Sequence, residues 1–149
     1  FIDGVGDNQF LDRTFKSIDQ SVAMASLFVA LHLQIKAIAS FTQSGSTALW
    51  ISRLNSGVPI YALTPEDSTR RRMSLYRDVE PIFLKHEQND REELIRIAEQ
   101  KLVDSNIVTE GDLIVVTIGE PIGQSGGTNT MKIVKVNVKP LNEAEQLRL

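Results

Sequence analysis

The hydrophobic period of this chain switches repeatedly between about 3.6 and 2 residues, and the order of the switches leaves few architectures open. From Ser17 the apolar positions Ile18, Val22, Ala25, Val29 and Leu33 recur at three- and four-residue steps, which predicts a helix with that face on the core. KAIASF (residues 36–41) then reads as a strand, and the pattern over 44–55 as a helix ended by Ser56-Gly57. VPIYAL (58–63) is a second strand, with Pro59 near its start where a missing N–H is tolerable. Thr64 as N-cap and Pro65 at the first helical position predict a short arginine-rich helix to Leu75. VEPIFL (79–84) is a third strand, and Asn89-Asp90 caps a helix with Leu94, Ile97, Ala98 and Leu102 on one side. LIVVTI (113–118) has the unbroken apolar character of a strand covered on both faces. MKIVKVNV (131–138) alternates, as a half-exposed edge strand does. The order αβαβαβαββ predicts an α/β fold: a three-layer αβα sandwich around a five-stranded, mostly parallel sheet with an antiparallel edge strand. One domain over 17–140 is expected, with a lead-in over 1–16 and a tail over 141–149.

Composition narrows the function classes. The 149 residues, 42% hydrophobic, suffice for one self-contained core. Sixteen Lys and Arg against nineteen Asp and Glu give a net charge of −3, so no basic field awaits nucleic acid or an anionic bilayer. Absence of cysteine removes disulfides, thiolate catalysis and zinc–thiolate sites, and fits a cytoplasmic setting. The longest apolar stretch, 22–33, is broken by Ser26 and His32 and falls short of the roughly 20 residues a membrane helix needs. No signal-peptide pattern is present, and the opening residue is Phe1, as in a segment cut from a longer polypeptide.

In open α/β sheets ligands collect where strand-to-helix turns converge at the carboxyl ends of the strands. TQSGSTA (42–48) is such a turn. Gly45 allows close backbone approach, the amides of residues 45–48 would be free at a helix N-terminus, and Thr42, Ser44, Ser46 and Thr47 add hydroxyls. An uncharged cradle of this kind can hold a phosphate; the same residues can equally cap a helix and leave the rest as solvated loop. A second glycine-rich loop (119–129) holds GQSGG from Gly123 to Gly127, with little side-chain bulk to stop it folding over a ligand. A long hairpin connection is the other reading. His32 and His86 lack second ligands at metal spacing, so no metal site is expected. Arg70-Arg71-Arg72 reads as a solvated helix face, with Arg70 and Arg77 able to pair across subunits, and Trp50 as core or interface. No Ser-His-Asp set, carboxylate metal cluster or Walker loop appears, so no catalytic residue is assigned.

Several separated motifs occur together in a familiar order: TQSGSTA, the strand followed by Thr64-Pro65, Leu75-Tyr76-Arg77 with Val79 and Pro81 after it, and Gly126-Gly127-Thr128-Asn129-Thr130. With them the chain, from about Ser17 to Val138, resembles the C-terminal domain of bacterial-type pyruvate kinase. The resemblance implies a parent enzyme that transfers phosphate from phosphoenolpyruvate to ADP with Mg²⁺ and K⁺, on a barrel upstream of this segment. It implies that this domain needs no cofactor of its own and is regulatory, within a homotetramer. Thr42, Ser44, Gly45, Ser46 and Thr47 would hold the phosphate of an activator, and Gly123, Gly126 and Thr128 would belong to the loop that closes over it. Two departures bear on the ligand. The family commonly has arginine where Ser46 stands. Fructose-bisphosphate-activated members use a tryptophan and an arginine after the third strand, whereas KHEQNDREEL (85–94) offers only Lys85 and Arg91 as cations. A monophosphate, such as glucose 6-phosphate, ribose 5-phosphate or AMP, suits one phosphate cradle better than a bisphosphate.

Two alternatives belong to other classes. Phosphosugar isomerase-type domains also use a Ser-Gly-hydroxyl turn, but place a carboxylate shortly after it; here Ala48, Leu49, Trp50 and Ile51 follow. A structural assembly domain with a decayed effector site is the other.

Overall fold

A computed structural model describes residues 17–85, 90–119 and 127–141. The predicted lead-in and tail lie outside these residues, apart from Leu141. Among the described residues nine elements follow the predicted order: α1 (Ile18–His32), β1 (Ala37–Phe41), α2 (Ser46–Arg53), β2 (Ile60–Thr64), α3 (Asp67–Met73), β3 (Val79–Phe83), α4 (Arg91–Asp104), β4 (Leu113–Gly119) and β5 (Thr128–Lys135). The strands form one sheet in the order β3-β2-β1-β4-β5. The first four are parallel and β5 runs antiparallel to β4.

Period-2 alternation divides the core into two layers. Ala37, Ala39 and Phe41 of β1, with Ile114, Val116 and Ile118 of β4, pack against Leu94, Ile95, Ala98 and Leu102 of α4. Ile38, Ile60, Ala62 and Val115 point the other way, onto Leu27 of α1, Ala48 and Ile51 of α2, and Met73 of α3. Helices therefore cover both faces, as the sandwich expectation required. The edge position of β5 and the burial of β4 also agree with the sequence.

The core face of α1 differs from the predicted one. Asp19, Ala23, Met24, Ser26, Leu27 and Ala30 are buried, while Ile18 and Leu33 are 69% and 47% exposed. This helix is apolar on nearly every side, so spacing alone supports more than one face. The buried one carries small residues, Ala23, Ser26 and Ala30, which let the helix axis approach α2 and the sheet closely. Ser26 stays satisfied there by donating to the Val22 carbonyl at 2.7 Å.

Some boundaries also move. Helix α3 starts at Asp67 with Glu66 as N-cap, because Thr64 completes β2 and its hydroxyl accepts the Glu66 amide at 3.2 Å. Helix α2 starts at Ser46. The last strand begins at Thr128, paired with Gly119, and ends at Lys135; it is shifted upstream because the ladder with β4 fixes its ends, whatever the alternation beyond them. At the Ile118/Gly119 irregularity a Cβ on Gly119 would sit 2.5 Å from the Gly127 carbonyl oxygen. Backbone cannot yield as a side chain does, so Gly119→Ala should cost about 1–3 kcal/mol by overpacking. Chemical denaturation checks this, and an unchanged midpoint would refute the close approach.

Candidate functional site

The strand order reverses at β1: the chain steps outward to β2 and β3, then returns to place β4 on the other side of β1. The crevice at the carboxyl ends of β1 and β4 is therefore the switch point of the sheet, where ligands of open α/β folds bind. The 42–45 turn leaves β1 there, and Gly119 ends β4 beside it.

The turn is built by its own hydroxyls. Thr42 is buried and its Oγ1 accepts the Gly45 amide at 2.8 Å; Ser44 Oγ accepts the Ser46 amide at 3.3 Å. Gly45 is the N-cap of α2, with φ of +83° in the left-handed region, and a Cβ there would come within 3.1 Å of Met73 Cγ. The conformation thus favours glycine, and Met73 leaves a Cβ there little room. Helix α3 fastens the backbone from the other side. Thr69 Oγ1 donates to the Gln43 carbonyl at 2.7 Å, and Arg72 donates to the Ser44 carbonyl. Arg70 and Arg71 both pair with Asp67, and the Arg70 hydrogen bond holds the Asp67 carboxyl below the usual range. The expected solvated arginine face holds for Arg71 and Arg72, which are exposed, while Arg70 is half-buried; Arg72 reaches the turn from that exposed position.

Of the amides expected to be free, those of Gly45 and Ser46 are engaged by side chains, while those of Thr47 and Ala48 have no acceptor among the described residues. Thr47 is fully buried and its hydroxyl donates to Thr128 Oγ1 at 2.8 Å, joining the turn to the start of β5 across 81 residues. Of the three loop residues singled out, Thr128 is thus in contact with the turn; Gly123 and Gly126 lie outside the described residues. Below them Thr117 donates to Ser40 at 2.9 Å, a register pair of β4 and β1. Hydroxyl pairs therefore tie the strand ends together beneath the turn without leaving these buried groups unsatisfied.

No motif or spacing marks Asp19. This first-turn residue of α1 is 8% exposed, and its Oδ2 accepts the Ser46 hydroxyl at 3.1 Å, across 27 residues of chain. Ser44 Oγ donates in turn to Ser46 Oγ at 3.2 Å, so a run of hydroxyls points toward the carboxylate. The cradle that reads as uncharged along its own residues carries a carboxylate from α1 on one side and a guanidinium from α3 on the other. His32 instead meets its own helix, with Nδ1 2.8 Å from the Phe28 carbonyl and its ring stacked on Phe28. His86 lies outside the described residues. Among the described residues no three His, Cys, Asp or Glu side chains gather as metal ligands, and no helix is long and apolar enough to cross a membrane.

Comparison with known proteins places the chain among relatives. A family model described as pyruvate kinase, alpha/beta domain, matches residues 20–134. The chain is 38% identical over 126 residues to a pyruvate kinase of Buchnera aphidicola subsp. Acyrthosiphon pisum, covering 82% of this chain and 25% of that protein. It is 35% identical over 129 residues to pyruvate kinase II of Salmonella typhimurium, covering 85% and 26%. With a pyruvate kinase of Staphylococcus aureus it shares 38% over 117 residues, covering 78% and 20%. The chain thus spans about a quarter or less of the length of these relatives.

Proposed function

Since the chain belongs to the pyruvate kinase family, as its alpha/beta domain, we propose that it is a regulatory module that binds a phosphorylated metabolite, a sugar monophosphate or AMP, in the 42–47 turn. The activated reaction is phosphoryl transfer from phosphoenolpyruvate to ADP, carried out with Mg²⁺ and K⁺ by a barrel domain outside this chain. One observation carries the reading: a glycine-hinged turn at the sheet's switch point opens a helix whose buried Thr47 and Ala48 amides have no acceptor among the described residues. The Thr47–Thr128 hydrogen bond gives the second loop a route to sense the turn. Its closure over a bound ligand would favour whichever subunit arrangement accompanies it. The setting is a cytoplasmic homo-oligomer, a tetramer in the complete enzyme, with the outer edge of β5 as a candidate subunit contact. Solution mass measurement tests that contact.

The isomerase alternative gains nothing from Asp19. That carboxylate touches the hydroxyl that would hold a phosphate, whereas a general base for aldose–ketose exchange must reach carbons at the other end of the sugar.

The chain by itself is expected to show no turnover of phosphoenolpyruvate and ADP. Glucose 6-phosphate, ribose 5-phosphate or AMP at a hundred times its Kd should stabilise it by about 2.7 kcal/mol, raising Tm by roughly 5–10 °C. Turnover would defeat the regulatory reading, and the absence of a shift with all three compounds would defeat the effector site.

A further inference from the structure

A carboxylate is costly to bury without a cation, and Asp19 is buried with none within ion-pair distance among the described residues. Its compensation comes from the Gln20 amide on Oδ1 at 3.0 Å, the Ser46 hydroxyl on Oδ2 at 3.1 Å, and its place in the first turn of α1, where the helix dipole favours negative charge. The Ser46 hydroxyl, further polarised by Ser44, is also a donor that an anion at the start of α2 would need. Two acceptors therefore compete for one donor, and both are negative.

We propose that Asp19 is the specificity-determining residue of the cradle: a resident carboxylate that holds the Ser46 hydroxyl and disfavours an incoming anion in proportion to its charge. The inference rests on the reading that residues 42–47 hold an effector's phosphate. A ligand that succeeds must release Ser46 from Asp19 and offset the repulsion. Arg72 is the cation placed to help, since it holds the Ser44 carbonyl and, unlike Arg70 and Arg71, has no carboxylate partner among the described residues. One guanidinium against one carboxylate leaves the site suited to a single phosphate group and unsuited to ligands that bring more charge.

The test uses two esters of one sugar. Glucose 6-phosphate carries nearly two negative charges at pH 7 and glucose 6-sulfate carries one, on tetrahedral groups of similar shape. Calorimetry measures both against the unaltered chain and Asp19→Asn, whose amide oxygen still accepts from Ser46. Because Coulomb energy scales with ligand charge, the substitution should tighten the phosphate about 10-fold and the sulfate only about 3-fold. Equal gains for the two esters, no gain, or a loss would overturn the proposal while leaving the cradle intact. Failure of both esters, and of ribose 5-phosphate and AMP, to bind either protein would overturn the cradle reading and this inference together. Asp19→Ser, which removes charge and contact at once, must give the same ranking of gains, and Tm without ligand verifies that each variant is folded.

Discussion

Leu27→Ala is expected to cost about 2–5 kcal/mol, the range for a large-to-small change in a packed core that cannot fully collapse around the void. Leu27 is fully buried and shares one cluster with Ala48 and Ile51 of α2 and Ile38 and Val115 of the sheet. The matched control is Leu33→Ala at the C-cap of the same helix, where the side chain is 47% exposed and the change should stay within about 0.5 kcal/mol. Denaturant midpoints at unchanged slope decide between the two possible faces of α1. If Leu33→Ala proved the costlier change, the helix would be rotated from the orientation described. Because α1 also carries Asp19, such a rotation would take the carboxylate away from Ser46.

That comparison marks where the sequence stops being informative. Element order and sheet membership were legible because helical and strand periods alternate cleanly from β1 to β5, and the Asp90 cap of α4 is a local signal that the structure keeps, accepting from the Glu92 amide at 3.0 Å. The face of α1 was not legible, since an all-round apolar helix supplies no contrast for periodicity to detect. The start of α3 was misplaced because Thr64 and Pro65 imitate a cap and first turn, while strand pairing to Phe83 holds Thr64 in the sheet. Within the site, the turn was visible as a run of small polar residues around Gly45. Its electrostatics were not: Asp19 and Arg72 arrive from elements 27 and 28 residues away, and no local pattern marks either. An arginine in a triple-arginine run looks solvated, and an aspartate in a first turn looks like a response to the helix dipole.

Position 46 is where these charges can be set against the helix dipole, because the two forces predict opposite outcomes. Residue 46 opens α2, where the dipole alone favours Asp over Ser and disfavours Arg, each by about 0.3–1 kcal/mol. Asp19, 3.1 Å from the Ser46 hydroxyl and buried, exerts the reverse preference: Ser46→Arg supplies the cation it lacks, and Ser46→Asp sets two carboxylates in contact. Close charges in a partly dry site interact by more than the dipole term, about 4 kcal/mol for unit charges 4 Å apart near a protein surface before screening and reorganisation. Ser46→Arg should therefore raise Tm and Ser46→Asp lower it, with net changes of about 1–2 kcal/mol each. Affinity for glucose 6-phosphate should move the same way, about 10-fold tighter with arginine and about 10- to 100-fold weaker with aspartate. Thermal melts and calorimetry on the two variants read both effects. Stabilisation by aspartate would mean that the helix dipole governs the site and that Asp19 is too well compensated to influence what binds beside it.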